Sequence, residues 1–383
     1  MVACAHGELS QSTGLETGRL NGKKRMATSA EYRLGDYPFP RGWFAVAQSV
    51  EVGRTPCGVR YFGQDMILYR GASGRVVMLD AYCPHMGTHL GSGPHSATTT
   101  SDTFMEGDNI RCPFHAWRFG ADGVCNDIPY HDGTIPPAAR VRSWTVEERY
   151  GIVFCWHDPE GLPPDFEIAE FAEWGQPDWS SWTRLELLCD LQHPIEIFDN
   201  MSDVTHLDHL HGGHVTSYEN EYERHVLHQR QSGTTTEQGE GIYAATLTTL
   251  AGYVGPGIAF GHFVEIDAKQ IICVTPIEDG TCRLWQAAML KIPQGLTAEQ
   301  AETARQRLSA SMGNGLMRDG EVWATKRPAI NVMQMPGDGP FRQSRIWYSQ
   351  FYNPRKKTEG ILKRAGGRQV AKGMPPFTLD PAQ

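Results

Sequence analysis

No stretch of this 383-residue chain holds 18 consecutive apolar residues, so no membrane-spanning helix is expected. The first 25 residues, MVACAHGELSQSTGLETGRLNGKKR, lack the apolar core of a secretory signal, and a cytoplasmic location is the expectation. Positive charge is scarce: 35 Lys and Arg against 44 Asp and Glu leave a net charge of −9. That balance argues against nucleic acid or an anionic membrane as partner. Regular cysteine pairing is missing too. The nine cysteines are odd in number and scattered singly, which excludes a secreted disulfide framework and suits a reducing compartment. No internal repeat is visible.

What is present suffices for a large core. A 40% hydrophobic share over 383 residues predicts two domains. Residues 1–36 are polar and rich in Gly, Ser and Thr, and read as disordered. From Tyr37 onward short apolar runs alternate with turn residues: Ala45–Val50, Tyr61–Tyr69, Val76–Leu79, Asn109–Arg111 and Gly151–Trp156 read as strands. They predict a small antiparallel β domain over 37–160, with the polar stretch 94–106 as an inserted surface loop. The Pro/Gly-rich segment 157–165 marks a boundary. Beyond it, Tyr243–Leu250, Gln270–Val274 and Arg283–Met289 read as strands, and two helices are expected. One covers the region of Pro194–His211 and stops at Gly212-Gly213. The other opens with the capping-box pattern Thr297-Ala-Glu-Gln300 and places Leu308, Met312 and Leu316 on one face. Its glycines at 313, 315 and 320 predict a break or bend. The second domain is expected over 161–353, followed by a solvated basic tail over 354–383.

Only two cysteines have a histidine at ligand spacing. Cys83-Pro84-His85 and Cys112-Pro113-Phe114-His115 read C-x-H, a 26-residue gap, then C-x-x-H. Two thiolates and two imidazoles on tight Pro-containing turns suit a structural zinc or a Rieske [2Fe–2S] cluster, in which two His replace two Cys on one iron. The other seven cysteines read as free thiols serving as small hydrophobes.

A second constellation lies in residues 199–214, DNMSDVTHLDHLHGGH, with four His and three Asp in sixteen residues. Such carboxylate–imidazole density usually binds metal; a His-rich solvated helix face is the plain alternative. Spacing leaves the ligands open. His206/His209 and His211/His214 are three apart and share a helical face, whereas His206/His211, five apart, need a helix end or a distorted turn. A reactive iron wants two His and one carboxylate with positions left open. Asp319 on the late helix is a candidate carboxylate, with Glu321 only two residues away. An open iron site needs electrons to activate dioxygen, and a one-electron cluster supplies them, so the pairing favours iron–sulfur over zinc.

Taken together, Cys83-Pro-His85-Met-Gly, Cys112-Pro-Phe-His115-Ala-Trp117-Arg118 and Asn200-Met-Ser-Asp203-Val-Thr-His206 followed by His211 resemble the Rieske non-haem iron oxygenases. Within that family, Asp80–Gly87, Asn126–Tyr130, Arg318–Trp323 and Arg345–Tyr352 are most similar to the oxygenase components of 3-ketosteroid 9α-hydroxylases. The resemblance covers residues 38–353. It implies an α+β fold: an N-terminal antiparallel β Rieske domain and a C-terminal helix-grip, START-like catalytic domain with an antiparallel sheet. It implies cluster ligands Cys83, His85, Cys112 and His115, and a mononuclear non-haem Fe(II) held by His206, His211 and Asp319. By the same resemblance Asp203 is the carboxylate bridging the centres of adjacent subunits in a homotrimer. Dioxygen is the implied co-substrate, with NADH electrons arriving through a flavin/iron–sulfur reductase or a ferredoxin. Hydroxylation of a hydrophobic polycyclic substrate, a 3-ketosteroid, is the leading expectation. Sterol desaturation, demethylation and aromatic hydroxylation are the enzymatic alternatives, and a zinc-stapled lipid-binding protein is the non-enzymatic one. The segment after His211 lacks the aromatic character of the ketosteroid branch.

Overall fold

Phe62 and Gly63 both adopt positive φ, 53° and 68°, the requirement of a two-residue hairpin turn that follows strand twist. The run expected as one strand over Tyr61–Tyr69 therefore begins in a hairpin turn, and its strand is Gln64–Arg70, paired back onto Cys57–Tyr61. The structure, a computed structural model, describes residues 25–92, 104–183, 186–235, 246–335 and 337–378. These fall into two compact units, 45–157, and 25–44 with 158–378.

In the first unit the strands are β1 (Gly42–Gln48), β2 (Cys57–Tyr61), β3 (Gln64–Arg70), β4 (Val76–Asp80), β5 (Met105–Glu106), β6 (Asn109–Arg111), β7 (Arg118–Phe119), β8 (Cys125–Asp127), β9 (Val146–Arg149) and β10 (Ile152–His157). They form small sheets ordered β1-β10-β9, β2-β3-β4 and β5-β6-β7-β8. Ile67, Tyr69, Leu79, Ile110 and Phe119 fill a core that also takes in Cys83 and Cys112. That burial seats the two thiols at the base of their loops.

The second unit is built on one antiparallel sheet. Its strands are β11 (Glu186–Leu191), β12 (Gly213–Glu223), β13 (Val226–Thr235), β14 (Thr246–Val254), β15 (Ile258–Phe263), β16 (Ala268–Glu278), β17 (Thr281–Leu290) and β18 (Arg368–Val370), in the order β11-β17-β16-β15-β14-β13-β12-β18. Between β11 and β12 the chain makes α1 (Pro194–Phe198), a 3₁₀ turn (Asp199–Ser202) and α2 (Thr205–Leu210). After β17 comes α3 (Ala298–Thr325), capped by Thr297 and Gln300 through a reciprocal capping box. Leu308 packs with Ala268, Ala288 and Leu290; Leu316 and Trp323 pack with Leu191, Val274 and Leu284. This α+β arrangement, one long helix on an antiparallel sheet, matches the expected fold class. No helix among the described residues is long and apolar enough to cross a membrane.

Several expectations need correction. The helix α3 runs unbroken through its glycines, because its apolar face is anchored along the sheet; at Gly320 an added Cβ would stand 3.3 Å from Leu188 Cδ1. Residues 25–36 are not disordered. Ala27, Ser29, Tyr32 and Leu34 are buried, and the Tyr32 hydroxyl donates to the buried carboxylate of Glu196. The tail after 353 is not a solvated extension either. It forms α4's neighbour α5 (Thr358–Ala365), where α4 is Phe341–Ser349, and then pairs β18 with β12. Arg368 Nη2 binds the Glu219 carboxylate at 2.5 Å. Of the loop expected over 94–106, only Phe104–Glu106 lie among the described residues, and Met105 pairs with Ile110. Cys125, Cys155, Cys273 and Cys282 are buried free thiols, whereas Cys57 is disulfide-bonded.

Candidate metal centres

The first centre is assembled from two loops with the same backbone plan. Cys83 N–H donates to Thr88 O (2.9 Å) and Gly87 N–H returns to Cys83 O (2.9 Å); Cys112 N–H donates to Trp117 O (2.8 Å) and Ala116 N–H to Cys112 O (3.0 Å). Gly87 and Ala116, each four residues beyond its cysteine, both take positive φ, 71° and 60°. Glycine accepts that conformation freely; Ala116 holds it at a cost. The His85 and His115 rings meet edge-to-face at 4.7 Å, and Trp117 stacks on His85 at 4.7 Å. The two thiols hydrogen-bond to each other, which pushes the Cys83 thiol up and holds Cys112 down. One thiol of the pair therefore ionises ahead of the other. Two buried thiols below two convergent imidazoles fit the donor set of a Rieske cluster. Trp117 is a packing residue here. Tyr82 faces elsewhere, with its hydroxyl on Asp65 (2.9 Å).

The second centre depends on a helix end. Helix α2 stops at Leu210, with Gly212 in the left-handed region (φ 68°) just beyond, a common glycine stop. His211 thereby leaves the helical repeat, and its ring meets His206 edge-to-face at 5.2 Å despite the spacing of five. Asp319 approaches from α3, with His211 Nε2 and Asp319 Oδ1 3.2 Å apart. One ligand atom from each of His206, His211 and Asp319 lies within 4.8 Å of the others. His206 Nδ1–H donates to Asp203 O at 2.5 Å, which leaves Nε2 as the free donor, as a metal-bound histidine requires. Burial opposes a charged imidazole at His206, yet the carboxylates of Asp203 and Asp319 outweigh it and lift its pKa above the ordinary value. The two carboxylates thus favour positive charge here despite burial. Two imidazoles and one carboxylate on one side fit a facial-triad iron.

The other candidates separate cleanly. His214 Nδ1 pairs with Asp208 (3.1 Å) at an exposed position, His209 is exposed, and Glu321 points to solvent from α3. The Asp203 carboxylate stays about one-third exposed, 3.8 Å from His206 Nδ1, and accepts from the His206 backbone N–H (3.2 Å). Burial raises its pKa but His206 more than compensates, so it remains below the ordinary carboxylate value.

Sequence reasoning missed what holds this segment in place. Arg345 from α4 forks onto buried Asp199 through Nε (3.0 Å) and Nη2 (2.5 Å) and donates to Ala329 O and Ile330 O. Asn220 Nδ2 binds Met201 O (2.7 Å). A Cβ on Gly339 would meet Ser202 O at 2.0 Å, so only glycine lets that loop close over the turn. A charged Asp199 at the head of the motif was the available signal. The triad opens onto a cavity of about 970 Å³, lined among others by Ile197, Leu247, Ile272, Leu284, Leu316 and Trp323.

Paired Cys/His loops together with an open two-histidine, one-carboxylate triad define the Rieske-type non-haem iron oxygenases. The Rieske [2Fe–2S] domain family matches residues 42–145, and the 3-ketosteroid 9α-hydroxylase C-terminal domain family matches residues 155–352. The chain is 33% identical over 347 residues to a 3-ketosteroid-9-alpha-monooxygenase oxygenase component of Rhodococcus rhodochrous, covering 85% of this chain and 87% of that one. It is 28% identical to the cholesterol 7-desaturase of Caenorhabditis elegans, over 86% of this chain and 82% of that one. Among solved structures it resembles NdmB of Pseudomonas putida CBB5 (TM-score 0.60, 17% identity, 91% of this chain and 99% of that one), a likeness of fold alone. The chain belongs to the family of 3-ketosteroid 9α-hydroxylase oxygenase components. It is an iron-dependent monooxygenase component that works with a Rieske [2Fe–2S] cluster, a non-haem iron and dioxygen, and takes electrons from a separate reductase or ferredoxin. The zinc-stapled, non-enzymatic alternative falls with that membership.

Proposed function

We propose that this chain hydroxylates an apolar polycyclic substrate, a 3-ketosteroid, with iron held by His206, His211 and Asp319 and the cluster by Cys83, His85, Cys112 and His115. The carrying observation is the cavity of about 970 Å³ opening directly onto the triad, at the upper end of small-molecule pockets. When bound, the iron supplies dioxygen activation and the cluster supplies single electrons. The chain's own residues do the rest. Ile272, Leu284, Leu316 and Trp323 exclude water and take up the apolar body. Gln229, Gln231 and Gln270 offer neutral amides to its oxygens. The Asp203 backbone carbonyl fixes the His206 ring.

In the same proposal the chain is a homotrimer, and the Asp203 carboxylate accepts a hydrogen bond from a cluster histidine of the neighbouring copy. Its partial exposure (35%) supports that role, with hydrogen bonds from the Thr205 hydroxyl and the His206 backbone N–H and the His206 ring 3.8 Å away among the described residues. The test is turnover of the reconstituted protein with a surrogate reductase on a panel of steroids and aromatics under ¹⁸O-labelled dioxygen. A hydroxysteroid carrying one labelled oxygen is expected. An unlabelled alkene would assign desaturation instead, and turnover of aromatics alone would overturn the steroid reading.

A further inference from the structure

Charge along the cavity bears on the far end of the substrate. Apart from histidines and Asp319, the formally charged residues lining it are Arg307 and Arg318, both cations, in a chain of net charge −9. Arg318 donates through Nη1 to Leu210 O (3.1 Å) and braces the end of α2. Arg307 is different. It is exposed where it lines the cavity, and it has no hydrogen-bond or ion-pair partner among the described residues.

Its helix offers it nothing to pair with. The positions three and four residues away are Thr303, Ala304, Ala310 and Ser311, where a helical salt bridge would need an acid. The nearby Glu302 is taken by Arg305, whose Nε and Nη2 bind its two oxygens at 2.8 and 2.7 Å. Arg307 thus stands over the cavity as an uncompensated guanidinium, a group whose planar fork suits a carboxylate.

The helix also measures the distance. Asp319 and Arg307 are twelve residues apart on unbroken α3, a rise of about 18 Å. A fused-ring body with its reacting carbon at the triad falls short of that span. A ring body extended by a flexible side chain covers it. Between the ends, the wall carries neutral glutamines and no carboxylate other than Asp319 among the described residues.

We infer that the preferred substrate is an amphipathic acid, a steroid whose side chain ends in a carboxylate held by Arg307 while the ring nucleus lies at the triad. This rests on the steroid hydroxylase reading and sharpens it. The test compares a C24 steroid carboxylate with its neutral primary carboxamide, using the holoenzyme and a surrogate reductase. The acid is expected to show a kcat/KM about tenfold above the amide, the worth of one charge-assisted hydrogen bond. That preference is carried by KM and shrinks with added salt. Arg307→Gln should bring the acid-to-amide ratio close to one, and Arg307→Lys should keep most of it, with the cluster spectrum reporting that each variant is folded. Equal use of acid and amide by the native protein, or an unchanged ratio in Arg307→Gln, overturns the inference and leaves the hydroxylase reading intact. Failure to bind or turn over either steroid overturns both.

Discussion

His193 ties the segment around Ser29 to the start of α1, and its protonation should cost this domain stability. Its Nδ1 accepts the Ile195 N–H (3.1 Å) as the cap of α1. That forces the proton onto Nε2, which donates to Ser29 Oγ (2.9 Å), whose hydroxyl donates in turn to Pro38 O (2.7 Å). A second ring proton would drive Nδ1–H against the Ile195 N–H. Burial, helped by the nearby Arg345 charge, holds the His193 pKa down to about 3, against an ordinary 6.5. Above pH 6.5 the ring is neutral both folded and unfolded, and no term arises. Below it the unfolded chain takes up a proton that the folded chain refuses, so stability falls by about 1.4 kcal/mol per pH unit until the folded pKa is reached. At pH 5 the loss is about 2 kcal/mol, and fully developed it is about 5 kcal/mol. His193→Asn keeps a side-chain cap for α1 but cannot titrate. Urea unfolding at pH 7 and pH 5 should show the native chain losing about 2 kcal/mol more than the variant. Equal losses in both chains would refute the reasoning.

Three further outcomes are expected. Asp319→Ala should bring iron per chain close to zero by elemental analysis while the visible spectrum of the cluster persists; Glu321→Ala, at an exposed position, should change neither. Asp203→Asn should retain both metals, because the His206 ring is held by the backbone carbonyl of residue 203 (2.5 Å). The same variant should slow electron arrival in single-turnover measurements, and a native rate would refute the bridging role. Trp323→Ala empties a position 4% exposed against Leu284 and Leu316. It should cost about 3–5 kcal/mol in chemical denaturation.

The features legible in the chain were the local ones. Cys83/His85 and Cys112/His115 lie within single turns, so spacing alone marked four candidate ligands, and Gly212 after His211 announced the helix end that lets residues five apart meet. The capping box at Thr297 and the Leu308/Met312/Leu316 stripe located α3 because caps and periodicity act within a few residues. Other choices were not local. Asp319 and Glu321 are equivalent to any spacing rule, but two residues turn a helix by about 200°, so one faces the histidines and the other faces water. The order in 25–36 and 354–378 was invisible because those polar segments are held by Glu196, Asp158 and Glu219, partners 120 or more residues away in sequence. The glycines of α3 predicted a break by propensity, and the sheet beneath overrode it. The cavity itself has no motif, since its walls take positions from separate strands and from α1, α2 and α3. By itself the sequence determined the chemistry of the donor atoms, because ligand loops close over short spans. Only the tertiary structure decided which carboxylate reaches the triad, what shape of substrate the cavity admits and which arginine is left without a partner, because those depend on side chains that only folding brings together.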